Sequence, residues 1–192
     1  TDIDIFLPDP QLIGHLSPRL NSAVESLTND YDERANFLKL YFPQGEIDFV
    51  ISGFLTANPV LVERICGRDV KVETSAEIIA KKIWYRGADF AARDLFDFAL
   101  VAEREPRMLK DSQDVLRARR TVVIEQIADR EEELREDFAA LDVLEYRPSF
   151  EQCIAAVRKA LGPDAASAPH RIEQTRAGYR ASQPSMGTRI GL

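Results

Sequence analysis

Short strand-like runs dominate the first 74 positions, and helical spacing dominates residues 75–162. Ile3, Ile5 and Leu7 alternate with polar neighbours, which predicts a half-buried strand over Thr1–Leu7. Leu12, Ile13, Leu16, Leu20, Val24 and Leu27 recur at helical spacing and predict one amphipathic helix within Pro10–Asn29. The run Ala35–Phe42 reads as a strand, Pro43-Gln44-Gly45 as a tight turn, and Glu46–Ser52 as the returning strand of an antiparallel hairpin. Val70–Glu73 reads as a short strand. Thr74 and Glu77 have the spacing of a capping box. They open a helix carrying Ile78, Ile79, Ile83 and Trp84, which Gly87 ends. A second helix opens near Ala91, with core contacts from Leu95, Phe96, Phe98 and Leu100. Another is expected from Pro106, carrying Met108, Leu109, Val115 and Leu116. Over Thr121–Phe138, Val123, Ile124, Ile127, Leu134 and Phe138 form one helical face, with Glu131–Glu133 opposite. Ser149 caps a last helix with Phe150, Ile154, Val157 and Leu161, which Gly162-Pro163 ends. The expected class is α+β: a small mixed sheet with flanking helices over 1–74, a helical region over 75–162, and a tail over 163–192. That tail is rich in Ala, Ser, Pro and Gly, and is expected to be flexible or ordered only on a partner.

Composition narrows the function. A chain of 192 residues, 45% hydrophobic, has enough apolar material for a core. Its net charge of −7 argues against generalised phosphate binding, which needs a basic face. A small nucleotide, or a nucleic acid held by a local basic patch, remains open. The Arg117–Arg120 cluster reads as charge balance against the acidic helix, with RNA phosphate contact as the alternative. Cys66 and Cys153 are far apart, lack a CxxC pattern, and read as buried free thiols of a cytoplasmic protein. No apolar run approaches the roughly 20 residues of a membrane span. Thr1 already lies inside a strand and no Met opens the chain, so a preceding segment is expected. His15 and His170 are isolated and are given no catalytic role, and Trp84 reads as core rather than as a base-stacking platform.

The candidate chemistry is carboxylate chemistry. Side chains alternate across a strand, so Asp2 and Asp4 project from one face. Two carboxylates so close disfavour each other's ionisation unless a cation sits between them, and oxygen ligands at this spacing suit Mg²⁺. Glu46, Asp48 and Val50 share a face of the second hairpin strand. If that hairpin pairs beside the first strand, Asp48 joins Asp2 and Asp4. Such a trio holds one or two ions against a nucleoside triphosphate, with Asp48 taking the proton of an attacking hydroxyl. The bland alternative is a polar, solvated strand face. Lys82 and Arg86 stand one turn apart on one helix, and Asp94 and Asp97 one turn apart on the next, beside Arg93.

The block Glu77–Ile83, followed by Arg86 and then Arg93-Asp-Leu-Phe-Asp-Phe-Ala99, resembles the signature of the AbiEii/AbiGii-type nucleotidyltransferase toxins. Members carry an Asp-x-Asp strand, a later strand carboxylate, a helix Lys, an Arg, and an Arg-Asp-x-x-Asp helix. The resemblance covers roughly residues 1–105. It implies a DNA polymerase β-like nucleotidyltransferase fold and a toxin of a bacterial toxin–antitoxin or phage-defence pair. It also implies transfer of a nucleotide from an NTP to an RNA, tRNA in some relatives, or to a protein hydroxyl. Carried over by position, Asp2, Asp4 and Asp48 are metal ligands for Mg²⁺, with Mn²⁺ as a substitute. Lys82 contacts triphosphate with Arg86 and Arg93, and Asp94 is the active-site carboxylate of its helix. Arg93 and Asp97 read either as catalytic or as a structural ion pair locking the helices, with the structural reading favoured for Asp97. Implied partners are the NTP, an RNA and a cognate antitoxin. The family places a Gly-Gly or Gly-Ser turn about ten residues before Asp-x-Asp, and this chain begins after that point. The alternative reading is a catalytically impaired protein that uses the fold as a binding module.

Overall fold

The computed structural model describes residues 2–162. Strand β1 (Ile3–Leu7) is followed by α1 (Gln11–Leu16), α2 (Ser22–Glu25), β2 (Tyr31–Glu33), β3 (Phe37–Phe42) and β4 (Gly45–Ile51). The four strands form one sheet in the order β1-β4-β3-β2. β3 and β4 pair antiparallel around the Pro43-Gln44 turn, with Phe42 opposite Gly45. β1 runs parallel to β4, and the register sets Asp4 beside Asp48. The sheet is therefore mixed, and the hairpin does pair beside the first strand.

One face of this sheet is apolar and is covered by α1 and α2. Ile13, Leu38, Leu40 and Phe49 are buried there, with Leu7, Leu16, Val24, Tyr31, Phe42, Ile47 and Ile51 packed around them. The single helix expected over Pro10–Asn29 is instead two short ones. Ser17 sits at φ −69°, ψ 126°, the extended conformation that a following proline imposes. Pro18 thus ends α1, and Asn21 caps α2 by accepting the Ala23 N–H at 3.0 Å. Leu20 and Leu27, expected on the apolar face, are exposed.

A second, two-stranded sheet pairs β5 (Val60–Ile65) with β6 (Arg68–Glu73). Only its Val70–Glu73 portion was legible as a strand. Cys66 and Gly67 turn at φ +50° and +79°, both left-handed, as a tight two-residue hairpin requires. Cys66 is consequently exposed rather than buried; Cys153 is buried, and burial pushes its thiol up to about 11.

The helical region consists of α3 (Ser75–Arg86), α4 (Ala92–Arg104), α5 (Gln113–Asp129), α6 (Glu131–Ala139) and α7 (Phe150–Leu161). Thr74 caps α3 by accepting the Glu77 N–H at 3.3 Å. Glu77 does not return to the Thr74 backbone, so the expected capping box is half formed; its carboxylate goes elsewhere, as described below. Ser149 and Gln152 form the complete box at α7. The helix expected from Pro106 starts only at Gln113, after a 3₁₀ turn at Met108–Lys110. The helix expected over Thr121–Phe138 breaks at Arg130, whose φ of −118° leaves the helical region. Glu131, Glu132 and Glu133 then fill the first turn of α6, where the helix dipole favours negative charge. The helical core is built on Ile79, Ile83, Phe90, Leu95, Phe98, Val123 and Val157, all fully buried. Phe96 and Leu100 are only partly covered. The tail from Pro163, with His170, lies outside the described residues.

Phe98 touches the centre of that core, so Phe98→Ala should cost about 3–5 kcal/mol in urea unfolding. Leu144→Ala, at an exposed position, should stay within about 0.5 kcal/mol of the parent chain.

Candidate active site

The sheet face opposite α1 and α2 carries the carboxylates. Parallel pairing places Asp4 and Asp48 side by side on it. Asp2 lies one residue ahead of β1 and is exposed, as is Asp4. Across β4, β3 places Lys39 directly opposite Asp48. The Lys39 ammonium stands 3.1 Å from Asp48 Oδ2 and also donates to Glu46 Oε1. These two carboxylates hold Lys39 protonated well above the ordinary lysine range. The other oxygen of Asp48, Oδ1, is buried and has no hydrogen-bond partner.

Two residues that sequence reasoning overlooked close the other end of this face. Glu73 ends β6, and Lys81 on α3 pairs with its Oε1. Lys81 is 7% exposed, and its Nζ lies 3.7 Å from the centroid of the Phe6 ring. Phe6 follows Asp4 by two positions on the same strand face. Burial raises the Glu73 carboxyl above its ordinary value, against the opposing pull of Lys81, and the charges of Glu77 and Asp4 add to the rise. Glu73 Oε2 is, like Asp48 Oδ1, buried without a partner. One turn before Lys81, the fully buried Glu77 accepts the Leu55 N–H at 2.9 Å, the Thr56 N–H at 2.9 Å and the Thr56 hydroxyl at 2.7 Å. A Glu77-to-Lys81 pair at helical spacing was visible in the sequence. What the sequence hides is that both side chains point inward.

The helix residues form a second cluster. Lys82 is rotated about 100° from Lys81 around α3. Its ammonium sits 3.0 Å from Asp94 Oδ1 and 2.5 Å from Asp97 Oδ2. Asp94, 1% exposed, also meets Arg86 at 3.5 Å and accepts the Ala91 N–H at 3.3 Å. It therefore caps α4 as well as pairing two cations. Arg93 is exposed. The structure thus gathers Lys82, Arg86, Asp94 and Asp97 as one set, and Asp4, Asp48, Lys39, Glu73 and Lys81 as another. Among the described residues, Lys82 forms its ion pairs with the helix aspartates and not with the strand carboxylates.

The expected divalent ion fits the donor chemistry of the sheet face. Asp4 and Asp48 supply adjacent hard oxygens, and Asp48 Oδ1 is an orphaned buried acceptor. Among the described residues no three acidic, histidine or cysteine side chains converge into a ready-made cage. Mg²⁺ does not need one, since it commonly takes one or two carboxylates and completes its shell with substrate phosphates and water.

The Arg117–Arg120 cluster is largely committed to the protein. Arg119 donates to the Trp84 carbonyl at 2.7 Å and stacks on the Trp84 ring, and Arg120 donates to the Gly162 carbonyl at 2.8 Å. Arg117 pairs with Asp114 at 3.7 Å. No helix among the described residues is long and apolar enough to cross a membrane.

The family model for the nucleotidyl transferase AbiEii toxin of Type IV toxin–antitoxin systems matches residues 1–180. No curated protein and no solved structure matches the chain.

Lys81→Met leaves Glu73 and Glu77 without their cation and should cost about 3–5 kcal/mol in chemical denaturation. Breaking the exposed Arg34–Asp32 pair with Arg34→Ala should cost at most about 1 kcal/mol. Glu73 gives a pH signature. Its folded-state value lies above the ordinary 4.5, so the native chain holds the proton more tightly than the unfolded chain. Its contribution to stability therefore falls as pH rises from 4.5 through the raised value. Urea midpoints measured across that window should lose this downward slope in Glu73→Gln.

Proposed function

Because the chain belongs to the AbiEii nucleotidyltransferase toxin family of Type IV toxin–antitoxin systems, we propose that it transfers a nucleotide from an NTP to a hydroxyl of an RNA, using Mg²⁺. The observation that carries this reading is the parallel register that sets Asp4 beside Asp48, whose Oδ1 is buried without a partner. Asp4 and Asp48 would hold the ion, with Asp2 at the open end of the strand. Bound there, it would neutralise charge on the triphosphate and on the departing pyrophosphate. Asp48 would also take the proton of the attacking hydroxyl as that oxygen bonds to the α-phosphorus and pyrophosphate leaves. Lys82, Arg86 and Arg93 would bind the triphosphate oxygens. Lys82 would exchange one of its aspartate partners for a phosphate oxygen, leaving Asp94 to keep the α4 N-terminus in place. A tRNA acceptor fits this scheme, and a cognate antitoxin is the partner that the family implies.

Incubation of the full chain with each α-labelled NTP, Mg²⁺ and total bacterial RNA tests the proposal. Label should enter an RNA. Asp4→Ala and Asp48→Asn should each lower the rate at least about a hundredfold. Folded protein that transfers no label from any NTP to RNA would remove the RNA-modifying reading and leave the fold as a binding module.

A further inference from the structure

Lys39 lies on the carboxylate face, outside the candidate triphosphate set of Lys82, Arg86 and Arg93. It sits in a row running across the sheet. The registers place Asp4 beside Asp48, Asp48 beside Lys39, and Lys39 beside Asp32. Lys39 therefore has acidic neighbours on both sides. Asp32 is taken by Arg34 at 3.2 Å. The Lys39 ammonium instead turns toward β4, reaching Asp48 Oδ2 at 3.1 Å and Glu46 Oε1. Its side chain is 24% exposed, so this contact is not that of a freely moving surface lysine. The Tyr41 ring, two positions along the same strand, lies 6.0 Å away.

This choice of partner divides the Asp48 carboxylate. One oxygen is bound by the ammonium, and the other is buried with no donor. A carboxylate held in this way is restricted in rotation, and it offers a cation a single oxygen. The ammonium also offsets part of the negative charge that Asp4, Asp48 and Glu46 build up.

We infer that Lys39 is a positioning residue of the transferase site, which fixes Asp48 through Oδ2 and weakens the site's hold on a bare divalent ion. The inference rests on the reading of Asp4 and Asp48 as ion ligands. An ion that is weakly held alone binds firmly only when a triphosphate adds its own oxygens, so the ion and the nucleotide load together. Each acidic side chain facing Lys39 enters the balance: Glu46 and Asp48 from β4, and Asp32 from β2.

The test is a titration of the full chain with Mn²⁺ alone, without nucleotide, followed by electron paramagnetic resonance of the free ion. Asp48→Asn, Lys39→Met and Lys39→Arg are measured beside the parent. The parent should bind Mn²⁺, and Asp48→Asn should lose that binding. Lys39→Met should bind about tenfold more tightly, since a positive charge next to the ion has gone. Lys39→Arg, which keeps the charge, should stay near the parent. A thermal melt of each variant confirms that it is folded. Unchanged or weaker Mn²⁺ binding by folded Lys39→Met would overturn the inference while leaving the ion site standing. Absence of Mn²⁺ binding in both the parent and Lys39→Met, or binding by the parent that is equal after Asp48→Asn, would overturn the reading of the site and the inference with it.

Discussion

Lys81 lies between two apolar clusters, one beneath the four-stranded sheet and one among the helices, that share no buried residue. Its stem leaves α3 and its ammonium reaches the Phe6 ring of β1 and the Glu73 carboxylate of β6. One turn back along the helix, Glu77 gathers three donors from the segment that follows β4. Sheet, hairpin and helix are thus joined at one polar junction. A buried ion pair is a weak source of net stability, because desolvating both ions costs about as much as their attraction returns. Its effect here is geometric. An unpaired Lys81, Glu73 or Glu77 would be costly, so arrangements that separate these elements are disfavoured.

The junction also positions the chemistry. Phe6 continues the strand that carries Asp4, and the charge of Asp4 is felt at Glu73. A helix anchored at this point carries Lys82 one position further around its axis, where it meets the aspartates of α4. One pair of adjacent lysines therefore serves two purposes. Lys81 faces the sheet and secures the helix, and Lys82 faces α4 and gathers the polar cluster that the family signature marks.

Charge balance runs through the whole site. A chain of net charge −7 concentrates carboxylates on one sheet face and on α4, and sets a lysine against each group: Lys39 at Asp48, Lys81 at Glu73, Lys82 at Asp94. The larger arginine cluster of α5 is spent on the carbonyls of Trp84 and Gly162. Positive charge near the carboxylates is thus local and paired.

The sequence by itself determined the strand of Asp4, the hairpin of Asp48, the Thr74 and Ser149 caps, and the α3–α4 block. Each rests on short-range rules: alternation along a strand, a two-residue turn, a side chain that accepts an N–H three residues on. It also marked the family, because that signature is a matter of spacing within two neighbouring helices. It misplaced the breaks at Ser17 and Arg130, where backbone conformation overrides a continuous hydrophobic stripe. Tertiary structure alone decided which carboxylates meet. The parallel pairing of β1 with β4 joins residues 44 positions apart, and nothing local to either strand encodes that register. The same holds for the lysines. Helical periodicity places Lys81 and Lys82 on different faces, but only the packing of α3 between sheet and α4 settles which face is buried against which acid.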